Sequence, residues 1–201
     1  MRKIIIAALV LALPLLAVSC DNATRGKLHS VAKVVNEVSL SDAASLGSRS
    51  SENAEAADGL EIPAPIKGSN EIVLKRVGYT VSYNVQTRQP NWVAWKLTAQ
   101  RTKGNAERKD YKFTDDEDVP APRAEDSDYR SSGYDRGHMC PAGDNKWRAE
   151  AMRQSFIFSN ICPQAPSLNR GDWNEMELAC RRWAKRYGSV YVVCGPVFYK
   201  K

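Results

Sequence analysis

GDWNEMELACRRWAKRYGSVYVVCG, residues 171–195, predicts a helix that runs directly into a strand. Apolar residues recur here at steps of three and four, as expected of a helix with one face in the core: Trp173, Met176, Cys180, Trp183 and Tyr187. Gly188 is a suitable helix stop, and SVYVVCG has the composition of a buried strand. A helix that adjoins a buried strand in this way indicates a core built from both kinds of element.

Two segments upstream predict a pair of strands, because apolar and polar residues alternate along each of them. The segments are IVLKRVGYTVSYN (residues 72–84) and NWVAWKLT (91–98), and the intervening QTRQPN predicts a turn. RAEAMRQ (148–154) predicts a short helix and SFIFSN (155–160) a buried strand. We therefore predict an α+β fold with a central, largely antiparallel sheet.

The segment between these elements, residues 101–131, is dense in charge and predicts a long surface excursion. Its acidic centre is DDEDVPAPRAEDSD. Carboxylates that follow one another in sequence beside prolines rarely converge on one ion, so we interpret the run as a solvated face.

The first twenty residues, MRKIIIAALVLALPLLAVSC, have the layout of a secretion signal: two cations, an apolar run and small residues before a cysteine. The apolar run is too short for a membrane span. LAVSC resembles the bacterial lipobox, which predicts a lipid anchor on Cys20; a plain signal peptide with Cys20 as an ordinary thiol is the alternative. Residues 21–60 predict a flexible tether and residues 61–201 the folded domain, held outside the cytoplasm.

Four cysteines lie in the predicted domain, at Cys140, Cys162, Cys180 and Cys194. An oxidising compartment permits disulfides, and four cysteines allow three pairings that the sequence does not rank. The absence of a C-x-x-C pair argues against a zinc site.

The charge of the chain is positive, with a formal net charge of +6. Residues 129–201 contain twelve Lys and Arg against six Asp and Glu, so the excess lies in the C-terminal third. A basic face favours a polyanion such as nucleic acid, and a merely solvated basic surface is the alternative.

The stretch YDRGHM, residues 134–139, contains His138, the one histidine of the predicted domain, since His29 lies in the tether. A histidine with an ordinary pKa of roughly 6.5 is neutral often enough near pH 7 to act as a general base. The planar fork of Arg136 suits a phosphate oxygen. A structural role for His138 is the alternative.

A second stretch, SNICPQAPSLNRGDWNEME, residues 159–177, places Asn160 and Asn169 in a predicted loop ahead of the long helix. Glu177 and Arg181 lie four residues apart on one helical face and border a possible cleft; a surface ion pair worth only ~0.3–0.5 kcal/mol is the alternative. The amide oxygen of Asn169 suits Mg²⁺, although Asn169 can instead satisfy backbone groups at the helix start.

These three stretches, YDRGHM, SNICPQ and LNRGDWNEME, resemble in this order the motifs of the DNA/RNA non-specific endonuclease family of the ββα-metal superfamily. The similarity covers roughly residues 90–196. It implies that His138 is the general base and that Asn169 is the sole direct protein ligand of one Mg²⁺, with Mn²⁺ as a substitute. It further implies that Glu177 orients metal-bound water.

The resemblance also implies that Arg136 and Arg181 stabilise the phosphate and that Asn160 supports the loop around the metal. The expected activity is hydrolysis of DNA and RNA with slight sequence preference, leaving a 5′-phosphate. Members of the family continue past a G-P-V-F strand, whereas this chain ends at Lys201, so we expect a shortened domain with an open strand edge.

The resemblance makes a dimer possible, and the sequence itself leaves the oligomeric state open. The alternative to a nuclease is a tethered lipoprotein that binds nucleic acid without cutting it, or an inactive remnant.

Overall fold

The computed structural model describes residues 10–11, 59–65, 68 and 71–198. The strands are β1 (Val10–Leu11), β2 (Ile72–Lys75), β3 (Thr80–Asn84), β4 (Gln89–Thr98), β5 (Asp135–His138), β6 (Ile161–Gln164) and β7 (Ser189–Cys194). The α-helices are α1 (Asp126–Tyr129), α2 (Ala149–Ser155), α3 (Pro166–Arg170) and α4 (Asp172–Tyr187).

The strands form two antiparallel sheets. One has five strands in the order β1-β7-β4-β3-β2, and the other is the β5-β6 pair. Helix α4 packs on the larger sheet and contacts both β4 and β7. The predicted α+β class with a central antiparallel sheet is confirmed.

The predicted strand at residues 72–84 is in fact two strands, β2 and β3. A tight turn separates them, closed by a hydrogen bond from the Arg76 N–H to the Tyr79 carbonyl at 2.8 Å. Gly78 lies in this turn, where a Cβ atom would come within 2.0 Å of the Asn145 side-chain oxygen. The alternation from Tyr79 onward is correct, and the predicted turn between β3 and β4 is confirmed.

The long helix and the strand after it are confirmed as α4 and β7, and Gly188 ends the helix with a φ of 88°. The predicted core stripe is wrong at its last position, because the Tyr187 side chain is 62% exposed. The fully buried positions of the helix are Ala179, Cys180 and Ala184. Small side chains let the helix approach the sheet closely.

The prediction of a strand at residues 155–160 is wrong, although most of the segment is buried. It ends α2 and forms a 3₁₀ turn, Phe158–Asn160, and the strand β6 begins only at Ile161. The side chain of Asn160 explains the turn, because it bonds to the backbone of a neighbouring loop. Its Oδ1 accepts from the Cys140 N–H at 2.8 Å, and its Nδ2 donates to the carbonyls of Cys140 (2.9 Å) and Ser155 (2.8 Å).

The acidic excursion at residues 101–131 is only partly the solvated face that we predicted. Asp116 is buried and forms an ion pair with Arg76 at 2.6 Å, and Asp118 bonds to the same guanidinium at 2.5 Å. Val119 and Tyr129 are also buried, so the excursion covers part of the core. Two carboxylates of the acidic run, Asp116 and Asp118, therefore serve to pair with the guanidinium of Arg76.

The four cysteines of the domain, Cys140, Cys162, Cys180 and Cys194, are buried in one core cluster and are all free thiols.

The predicted signal peptide, Cys20 and tether lie outside the described residues, apart from β1, Gly59 and Leu60. In the part of the chain that the structure describes, no helix is long and apolar enough to cross a membrane. The described residues of the predicted signal peptide form β1, which pairs with the edge of β7 opposite to β4.

We predict that Asn160→Ala lowers the free energy of unfolding by about 3 kcal/mol, because it leaves buried backbone groups without hydrogen-bond partners. Urea denaturation followed by circular dichroism measures the change. Asn105→Ala, in an exposed loop, is the matched control and should leave stability unchanged. Equal stabilities of the Asn160 variant and the unchanged protein would contradict this account of the turn.

Candidate active site

A cavity of about 800 Å³ opens between strand β5, the loop after it, and helices α3 and α4. Four of the residues singled out in the sequence line it, namely Arg136, His138, Asn169 and Glu177. Asn160 lies behind the cavity wall, where it holds the backbone that follows His138. Arg181 stands behind Glu177.

His138 lies at the end of β5 and is only 6% exposed. Its ring packs against Phe156 at 4.8 Å and Phe113 at 5.4 Å between ring centroids. The Trp173 indole N–H donates to the His138 carbonyl at 3.1 Å and so connects the end of β5 to helix α4. The imidazole therefore has a fixed position between two aromatic rings.

The electrostatic state of His138 differs from the prediction. Burial, with a smaller contribution from the positive charge of Arg108, lowers the pKa of His138 to about 3. The expectation of an ordinary histidine pKa was wrong, because the site removes water from the ring and places a cation near it. The imidazole is neutral throughout the physiological range, and its buried Nε2 has no hydrogen-bond partner in the described part of the chain.

Asn169 is held by the first residue of the DRGH stretch. Its side-chain Nδ2 donates to Oδ2 of Asp135 at 2.9 Å, and Arg170 braces the same carboxylate through Nε (2.9 Å) and Nη2 (2.8 Å). These bonds lower the pKa of Asp135, the contact with Arg170 contributing most. An ionised carboxylate only accepts hydrogen bonds, so Asp135 contacts the amide nitrogen of Asn169. The amide oxygen, Oδ1, is therefore the atom left for a ligand. Asn169 lies in α3 and not in a loop, which corrects the prediction.

Glu177 and Arg181 form the predicted pair one helical turn apart, with 3.4 Å between Nη2 and Oε2. The stronger partner of Arg181 is Asp144, which is almost fully buried and lies 2.9 Å from Nη1. Trp95 on β4 also donates to Asp144, at 3.0 Å. Burial raises the pKa of the Glu177 carboxyl to about 7; Arg181 opposes this shift and Asp144 adds to it.

Arg136 lies at the cavity wall but is not free. Its Nε and Nη2 contact Oδ1 of Asp126 at 2.9 and 2.6 Å. Its guanidinium also lies 5.7 Å from the Phe113 ring centroid. Asp126 therefore occupies Nε and Nη2 of the Arg136 guanidinium, and Nη1 is left for an anion.

Several residues of the site carry no recognisable signal in the sequence. Arg108 and Lys146 add positive charge to the cavity lining, and Asp135, Asp126 and Asp144 hold residues that line it or stand behind it. Asp135 was visible as the neighbour of Arg136, but its contact with Asn169 spans 34 residues. Arg108 comes from the charged excursion, where nothing in the local pattern distinguishes it from its neighbours.

The donor groups of the cavity fit a weakly held divalent cation. Across residues 59–65, 68 and 71–198, no cluster of three or more His, Cys, Asp or Glu side chains is placed to hold a metal. A single amide oxygen suits Mg²⁺, which keeps several of its waters and takes further oxygens from a phosphate. Asn169 therefore meets the requirement for such an ion.

The cavity thus brings together a buried imidazole, an amide oxygen and a carboxylate from helix α4, among several cationic side chains. The comparisons with known proteins give the family. The sequence profile of the DNA/RNA non-specific endonuclease family matches residues 56–201, and the chain belongs to this family.

Several curated relatives resemble the chain. It is 44% identical over 122 residues to the mitochondrial nuclease EXOG of Xenopus laevis, covering 60% of this chain and 34% of the relative. It is 40% identical over 124 residues to the mitochondrial endonuclease G of Homo sapiens (61% and 42%) and 41% over 135 residues to nuclease C1 of Cunninghamella echinulata (65% and 54%). The chain thus spans about a third to a half of these relatives.

A solved structure agrees with this assignment. The structure of an EndoG/EndoGI complex, described as showing the mechanism of EndoG inhibition, matches with a TM-score of 0.58 and 38% identity. The match covers 60% of this chain and 51% of the other. The fold of the described domain is therefore that of the ββα-metal nucleases.

We predict that the Glu177 carboxyl of the metal-free protein titrates near pH 7, because burial disfavours its ionised form. The group is then protonated well below this pH and ionised well above it. Carbon-13 NMR of glutamate-labelled protein measures the titration, and Glu177→Gln identifies the resonance. A midpoint close to the model-peptide value of about 4.3 would contradict the prediction.

Proposed function

We propose that this protein is a divalent-metal-dependent nuclease that hydrolyses phosphodiester bonds of DNA and RNA. The observation that carries the proposal is the convergence of His138, Asn169, Glu177 and Arg136 on one cavity. The names of the relatives, which are nucleases and endonucleases, support the same activity.

Positive charge brings the substrate to the cavity. Arg108, Arg136, Lys146 and Arg170 all line it, so a phosphodiester is attracted to the position beside His138. Contacts of this kind address phosphate oxygens and not the edges of bases, so cleavage has little sequence preference.

His138 acts as the general base. Because Nε2 is buried among aromatic rings, Nδ1 is the nitrogen that takes the proton from the attacking water. A base with a pKa of about 3 is weak. A bound phosphate offsets the charge of Arg108 and favours the imidazolium, so substrate binding raises the basicity of His138 at the moment when it is needed.

Asn169 would hold the metal through Oδ1, and the ion, Mg²⁺ or Mn²⁺, would supply charge stabilisation of the phosphate and of the departing 3′-oxygen. Glu177 orients water near that position, and Arg181 keeps its carboxylate in place. Asn160 fixes the loop behind His138. The product therefore carries a 5′-phosphate.

The N-terminal sequence supports a location outside the cytoplasm. We propose that the mature domain is attached to a bacterial membrane through a lipid on Cys20 and a tether of about forty residues. Such a protein meets nucleic acid outside the cell or in the periplasm.

We predict that His138→Ala lowers cleavage of plasmid DNA in Mg²⁺ by about 10²–10⁴-fold, the usual contribution of a general base. Gel electrophoresis of the products measures the rate, with EDTA as the metal-free comparison. His29→Ala, which changes the histidine outside the predicted domain, is the matched control. Equal cleavage by the His138 variant and the unchanged protein would disprove the role of the base.

We predict that Asp135→Ala weakens Mn²⁺ binding about tenfold, because partners that orient a ligand are worth 10–100-fold in metal affinity or activity. Electron paramagnetic resonance of free Mn²⁺ measures the affinity without nucleic acid. Asp172→Ala removes an exposed carboxylate nearby and should change little.

A double variant with Asn169→Ala tests whether Asp135 acts through Asn169. The second substitution should add no further loss of Mn²⁺ affinity, since the two residues then act as one unit. Additive losses would show that Asp135 holds the metal by a separate route.

A further inference from the structure

An exposed aromatic residue adjoins the basic cavity. Trp147 is 37% exposed, and the residue before it, Lys146, lines the cavity wall. We call the exposed group Lys103, Lys146, Trp147 and Arg148 the Trp147 surface. The mechanism proposed above gives Trp147 no role.

Trp147 is held rigidly from one side. The Arg101 guanidinium lies 5.3 Å from the centroid of its ring. That guanidinium donates to the carbonyls of Gly78 at 2.9 Å and Val77 at 3.3 Å, and also to the carbonyl of Lys96. A support with three backbone partners keeps the indole in place, so little conformational entropy is lost when a flat ligand stacks on it.

The loop that carries Lys103 is packed directly against Trp147. A Cβ atom on Gly104 would come within 2.2 Å of the Lys146 carbonyl oxygen and 2.9 Å of the Trp147 Cα. The Ala106 N–H donates to the same carbonyl at 3.3 Å. The backbones of the two segments are therefore fixed side by side, and the cations belong to one surface.

The cations of this surface have no ion-pair partner among the residues that the structure describes. Over the stretch 71–198, no ion pair within 4.0 Å involves Lys103, Lys146 or Arg148. Four other exposed arginines of the domain do have carboxylate partners, namely Arg88, Arg130, Arg153 and Arg170. Unpaired cations around a rigid exposed indole match a ligand with both negative charge and a flat apolar face.

We propose that the Trp147 surface binds a single-stranded segment of the nucleic-acid substrate, with one unpaired base stacked on Trp147 and the flanking phosphates on the three cations. The proposal rests on the proposed function, because it extends the substrate path from the cavity through Lys146. Stacking on an aromatic side chain requires an exposed base face, which a duplex does not offer within its stack. The surface therefore favours single strands or locally opened duplexes.

The test uses the full chain in EDTA, so that nothing is cut. Fluorescence anisotropy gives the dissociation constant of a labelled single-stranded oligodeoxynucleotide and of an abasic sugar-phosphate strand of equal length. Trp147→Ala should weaken binding of the base-bearing strand about tenfold and leave the abasic strand unchanged, since one stacked base is worth a factor of this order. Trp147→Phe retains an aromatic ring and should restore most of the affinity.

The domain offers a matched control. Tyr187 is also exposed and also has an arginine over its ring, with Arg186 at 5.2 Å, but it lies at the end of α4 and does not line the cavity. Tyr187→Ala should leave both affinities unchanged. A double variant, Lys103→Gln with Arg148→Gln, should reduce the slope of log affinity against log salt by about 1.4 for a single strand, if each cation contacts a phosphate.

Unchanged affinity of Trp147→Ala for the base-bearing strand would overturn the proposal, as would an equal loss on the abasic strand. Equal thermal unfolding midpoints of the variants and the unchanged protein exclude loss of the fold as the cause. If the unchanged protein binds but does not cut when Mg²⁺ is restored, the nuclease assignment fails. A base-dependent loss of binding in Trp147→Ala would even then support the Trp147 surface.

Discussion

The buried ion pair between Arg181 and Asp144 determines how the site is assembled. Asp144 follows the loop after His138, Arg181 belongs to α4, and Trp95 of β4 donates to the same carboxylate. The pair therefore joins strand β4, helix α4 and the segment that follows His138. Breaking such a pair from one side costs about 3–5 kcal/mol, because the other charge stays buried. Arg181 also contacts Glu177, so the same guanidinium connects this buried pair to the cavity lining.

The sequence predicted the parts of the fold that follow from local periodicity. The three-and-four spacing located α4, and the positive φ of Gly188 ends it as expected. The segment 155–160 was assigned wrongly because its apolar composition fits a strand, whereas the side chain of Asn160 folds it into a turn through contacts 5 and 20 residues away. Asp135 and Arg108 were missed for a similar reason: their partners are distant in sequence, and no local pattern reports such contacts.

The low basicity of His138 follows from the same packing that fixes its position. Phe113 and Phe156 exclude water from the ring, and Arg108 adds positive charge nearby. A site built in this way keeps its base unprotonated in moderately acidic surroundings. In the proposed nuclease the packing that fixes the orientation of the imidazole also lowers its affinity for a proton, and the negative charge of a bound phosphate would offset part of that loss.

The contact between Arg136 and Asp126 gives the cavity an internal counter-ion. Asp126 also binds Arg130, so its carboxylate would keep a cationic partner if Arg136 turned to a phosphate of the proposed substrate. The exchange of one anion for another then leaves the local charge balanced, and a ligand with only weak negative charge gains little from it. The short helix α1 thus supplies the carboxylate that an anion bound at Arg136 would replace.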